Sequence, residues 1–134
     1  MNTVFLVIGC AFVALAALIH IGIFYLESIA WAKPSTWKRF GVATQADADT
    51  IRPMAYNQGY YNGFLAVGVI FGLVLLATPT LHQAGLTLAG FSALSMVLAA
   101  TVLITSSPKL ARAALLQGAA PLVGIVFLGL SAFV

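Results

Sequence analysis

Apolar residues fall in four long runs, separated by short stretches that hold most of the polar side chains. The first run covers residues 3–31 and closes at Trp31, Lys33 and Pro34, where the proline disfavours helical geometry at the residue before it. The others cover about residues 54–77, 84–105 and 109–134. Each reaches the roughly 20 residues that a helix needs to cross the hydrocarbon core. The pattern predicts an all-α, polytopic membrane protein: a four-transmembrane-helix bundle in a single membrane domain, residues 1–134.

The link at residues 32–53 is the one substantial polar stretch. Trp31, Trp37 and Phe40 stand among Lys33, Lys38 and Arg39. That mixture suits the lipid headgroup layer and predicts a short interfacial segment between the first two spans. Thr44 followed by Asp47 resembles a capping box. It puts Asp47 and Asp49 in the first turns of a helix, where the dipole favours negative charge. That helix either runs through Pro53 with a kink or restarts there. Residues 78–83 form a short turn, and Ser107-Pro108 marks the start of the fourth helix.

Composition agrees with this reading. Of 134 residues, 62% are hydrophobic and 7% charged, against roughly a quarter charged in a soluble domain. A net charge of +3 could point to nucleic acid, but its distribution points to topology and no nucleic-acid partner is expected. Lys33, Lys38, Arg39 and Arg52 lie in the first link; Lys109 and Arg112 lie in the third. In a four-span protein these links share a side. The positive-inside rule makes that side the cytoplasm and leaves both termini outside. The N-terminus has no basic region before its apolar run, so the first helix is expected to be retained. The lone Cys10 reads as a small core residue.

Polar side chains are costly in hydrocarbon and need partners. The spans hold His20, Tyr25 and Glu27 on the first helix, Tyr56, Asn57, Gln58, Tyr60, Tyr61 and Asn62 on the second, and Gln117 on the fourth. All lie in the half nearest the basic links. This predicts a polar chamber open to the cytoplasm, lined by His20, Tyr25, Glu27, Tyr56, Asn57, Gln58, Tyr61, Asn62 and Gln117. His20 and Glu27 are two turns apart on one face, about 10 Å along the axis. Pro121, four residues after Gln117, frees the Gln117 carbonyl from its helix bond.

Each of these residues also has a structural reading. His20 can hydrogen-bond to a neighbouring helix, and Glu27 can pair with Lys33 or Arg52. The tyrosines can form an interfacial belt, and the carboxamides can pair among themselves. One cysteine and two distant histidines make no zinc site, Asp47-Ala-Asp49 is no calcium loop, and there is no phosphate-binding Gly loop and no nucleophile elbow. No metal and no cofactor is therefore expected. Gly59 with Gly63, and Gly68 with Gly72, allow close helix approach. With so few helices to enclose volume, they suggest a homodimer through the second span.

Two runs carry a resemblance. Ile19-His20-Ile21-Gly22-Ile23-Phe24-Tyr25-Leu26-Glu27 and Tyr56-Asn57-Gln58-Gly59-Tyr60-Tyr61-Asn62-Gly63-Phe64-Leu65-Ala66, with Gln117-Gly118 before Pro121, resemble a family of small bacterial four-helix membrane proteins catalogued as a domain of unknown function. The resemblance implies a multi-pass protein of the bacterial inner (plasma) membrane and no particular activity. Three functions remain open. One is binding or transport of a small polar or amphipathic molecule, or a lipid, in the chamber. Another is acid–base catalysis by His20 and Glu27 on a lipid-soluble substrate. The third is a structural or accessory subunit.

Overall fold

The computed structural model describes residues 2–133. Residues 1 and 134, the ends of the expected domain, lie outside them. Backbone polar groups in lipid must find partners within the chain, and a helix supplies them locally. Helix α1 spans Thr3–Phe24, and the Asn2 side chain caps it by accepting from the backbone N–H of Val4 and Phe5. It passes directly into a π-turn, Tyr25–Ile29. The short helix α2, Pro34–Trp37, and a 3₁₀ turn, Lys38–Phe40, form the link. Helix α3 runs over Gln45–Leu76, α4 over His82–Ser106 and α5 over Ala111–Phe133. Among the described residues, four helical segments are long and apolar enough to cross a membrane.

The four long helices form an antiparallel ring in the order α1, α3, α4, α5, with α5 closing back on α1. Asn2 N–H donates to the Ser131 carbonyl at 2.9 Å, which ties the start of α1 to the end of α5. The six basic residues all lie at the opposite end, in the link, the first turns of α3 and the start of α5. Val13, Ala16, Ala17, Ala66, Val69, Ala93 and Met96 fill the centre. Cys10 packs beside this core, partly buried. Large apolar side chains such as Val67, Phe91 and Leu98 face outward, which is the surface a bilayer covers.

Small residues set the helix spacing. A Cβ on Gly72 would lie 2.5 Å from the Ala89 backbone nitrogen, and one on Gly85 would lie 2.2 Å from that of Leu76. Helices α3 and α4 therefore touch backbone to backbone. Gly68 also meets Ser92 of α4, and Gly63 meets Phe24 of α1. The glycine pairs of the second span thus pack against neighbouring helices of the same chain.

Helix α3 is continuous through Pro53. Proline removes only its own N–H, so the carbonyl left free is that of exposed Asp49, which water can satisfy. The helix is about 48 Å long, against about 30 Å of hydrocarbon, so its charged first turns project beyond the core. Thr44 caps it: Oγ1 accepts from Asp47 N–H at 3.1 Å and donates to Asp47 Oδ2 at 2.6 Å. This projection gives the link something to pack on. Trp31 and Trp37 are not displayed on the outer surface; with Ala48 and Ala55 they form a second buried core, flanked by Phe40, Val42 and Ile51. Trp31 Nε1 donates to the Ala48 carbonyl at 3.0 Å, and its ring packs on Phe40.

Candidate functional site

The π-turn brings Glu27 into the bundle. A π-turn widens the helix, with Ala30 N–H bonding to the Tyr25 carbonyl five residues back at 2.9 Å, and such turns recur at functional sites. Glu27 is 4% exposed. Its Oε2 accepts from Asn62 Nδ2 at 2.9 Å, and the same Asn62 amide donates to the Gln58 carbonyl at 3.1 Å. Among the described residues Glu27 makes no salt bridge, with Lys33, Arg52 or any other base. Glycine at position 59 permits this contact, because a Cβ there would meet Ser28 and lie 3.0 Å from the Glu27 Cβ. Ser28 Oγ adds a hydrogen bond to the Tyr56 carbonyl at 3.0 Å.

Glu27 opens onto a cavity of about 410 Å³ at the basic end of the bundle. Apolar side chains make up most of its wall: Ile23 of α1, Leu26 of the π-turn, Trp31, Phe40 and Val42 of the link, Leu103 of α4, Leu110 just before α5 and Leu116 within it. Four polar residues converge on it, namely Glu27, Arg39, Gln58 and Gln117. Gln117 lies four residues before Pro121, so its backbone carbonyl has no helical donor. Arg39 and the link's aromatic residues were not among the expected lining residues. The link folds over the cavity as a wall, which no local pattern in its sequence announces.

The remaining candidates lie elsewhere. His20 is 1% exposed and does not line the cavity; its Nδ1 is 2.9 Å from the carbonyl of Ala16 on its own helix. A carbonyl only accepts, so Nδ1 is the donor. Tyr25, Tyr56, Asn57 and Tyr61 are exposed on the outer face. The reason is the register of α3. Ala55, Gly59, Ala66 and Val69 face inward, which turns positions 57 and 61 away and 62 toward Glu27. Tyr56, Tyr60 and Phe64 stack along the outside of this helix, with Phe24 edge-on to Tyr60. All four tyrosines of the chain thus gather at the basic end, as an aromatic belt would. Among the described residues no three His, Cys, Asp or Glu side chains cluster as metal ligands.

Fold and cavity together define a multi-pass helical membrane protein with an acid-bearing apolar hollow near one membrane face. The chain belongs to the family described as Protein of unknown function (DUF1304), whose model matches residues 14–129. No curated protein and no solved structure matches it.

Proposed function

We propose that this protein binds a small amphipathic molecule in the Glu27 cavity. One observation carries this reading: a carboxyl group buried in a membrane helix, with no salt bridge among the described residues, faces an apolar hollow of ligand size. Ligand pockets typically measure about 300–1,000 Å³ and combine apolar walls with a few convergent polar groups. Ionisable side chains within membrane spans are rare and mark functional sites by default, with a partner to be named. Binding is favoured over transport because the bundle beyond the cavity is filled by Val13, Val69 and Met96. Binding is favoured over acid–base catalysis because His20 lies outside the cavity wall.

Hexylamine is a suitable probe, with a short apolar body and a cationic head. It is expected to raise the melting temperature of the purified protein in detergent by mass action. Ala113→Phe, which fills the cavity from α5, is expected to remove that rise while leaving the bundle folded. Equal melting temperatures with and without hexylamine in the unsubstituted protein would refute the reading.

The same proposal gives the protein an orientation. Basic links belong on the cytoplasmic side, here of a bacterial inner membrane given the family resemblance, so the cavity faces the cytoplasm and both termini face outward. Reporter fusions at either terminus are expected to read outside, and insertions after Lys109 to read cytoplasmic. A cytoplasmic C-terminus would reverse the assignment.

A further inference from the structure

A second hollow adjoins the cavity. It is a groove of about 540 Å³ between α1 and α5, lined by Phe12 and Leu15 on one side and by Arg112, Leu115, Leu116, Ala119, Ala120 and Val123 on the other. Leu15, Leu115 and Leu116 are exposed, so the groove lies on the lipid-facing surface. It runs along the α1–α5 seam toward the basic end, where the same two helices wall the cavity with Ile23, Leu26, Ala113 and Gln117. Leu116 lines both hollows and is 66% exposed, so groove and cavity meet at its side chain.

Resting on the cavity reading above, we infer that the ligand is a single-chain lipid amine that enters sideways from the membrane, its hydrocarbon chain in the α1–α5 groove and its ammonium head at Glu27. The groove suits a chain because its wall is apolar along about three turns of α5, with the one charged side chain, Arg112, at the end nearest the water. Its guanidinium can reach the headgroup layer while its stem covers the groove. The head assignment follows from charge. Glu27 spends one oxygen on Asn62 and has no cationic partner among the described residues, so an ammonium group supplies the counter-ion that the site lacks. Arg39, the other charged residue of the cavity wall, is exposed and makes no salt bridge with Glu27 among the described residues.

Photolabelling tests the route and the head together. The probe is dodecylamine carrying a diazirine at its terminal carbon, used with the purified protein in lipid nanodiscs. An extended twelve-carbon chain spans about 15 Å from Glu27, so label is expected on Leu15 and on groove residues 119–123. Excess dodecylamine is expected to lower it about tenfold, and dodecanol or dodecanoate far less. Glu27→Gln is expected to remove this preference for the amine, and Leu116→Trp to drive label out of the groove. Label spread evenly over the lipid-facing residues, such as Val67 and Phe91, would overturn the lateral route. Equal competition by dodecanol would overturn the ammonium head. If either occurs while hexylamine still stabilises the protein and Ala113→Phe abolishes the effect, the cavity reading survives and this inference fails alone.

Discussion

Leucine at Gly85 is expected to abolish the folded bundle. A Cβ at this position would lie 2.2 Å from the Leu76 nitrogen, 2.6 Å from the Leu76 Cα and 2.7 Å from the Gly72 carbonyl oxygen. These are backbone atoms, which cannot rotate aside as a side chain can. Helices α3 and α4 would have to separate, and that opens the contact between Gly72 and Ala89 as well. Overpacking of a well-filled interior costs about 1–3 kcal/mol, and more where backbones collide. The loss here is expected at the top of that range or above it, read as a collapse of thermal stability in detergent. Gly90→Leu supplies the contrast. A Cβ on Gly90 meets nothing within 4 Å, so that change is expected to fall within about 0.5 kcal/mol of zero.

The second large effect concerns the pair at the site. Asn62→Leu leaves Glu27 buried with no hydrogen-bond donor from the chain. Removing one partner of a buried polar pair costs the desolvation of the other, about 1–3 kcal/mol and more for a charged group. Destabilisation by about 2–3 kcal/mol is therefore expected. Replacing both partners, Glu27→Leu with Asn62→Leu, is expected to restore most of the stability, because two apolar groups packed inside the bundle need no partner. The double variant is also expected to lose all response to hexylamine. Stability and binding thus move in opposite directions, which a purely structural hydrogen bond would not produce. A double variant less stable than Asn62→Leu alone would show that Glu27 is held by contacts other than this pair.

The membrane class and the spans were legible in the sequence because length and hydropathy decide them. The co-location of the basic residues followed from counting links. The cavity lining was legible only in part. The polar residues of α3 at positions 56–62 fall on several faces of the helix rather than one stripe, so its inward face could not be read. Asn57 and Asn62 looked equivalent, yet the register set by Ala55, Gly59 and Ala66 turns the first outward and the second to Glu27. The π-turn at Tyr25–Ile29 was also illegible, since it depends on how α1 meets Gly59 of α3. Trp31 and Trp37 carried the composition of a headgroup belt. They are buried because α3 continues past Pro53 and offers them Ala48 and Ala55 to pack on.

Trp31 provides the most direct test of the central claim, because it lines the cavity and Trp37 is the only other tryptophan. In a Trp37→Phe protein all tryptophan emission comes from Trp31. A bromine atom quenches an indole only at close range, so 6-bromohexylamine reports occupancy of the cavity itself. Saturable quenching is expected, reversed by excess hexylamine and absent when Ala113→Phe fills the space. Quenching that rises linearly with probe concentration and is unchanged by Ala113→Phe would mean that the amine reaches Trp31 only by random collision, and would contradict a binding site at Glu27.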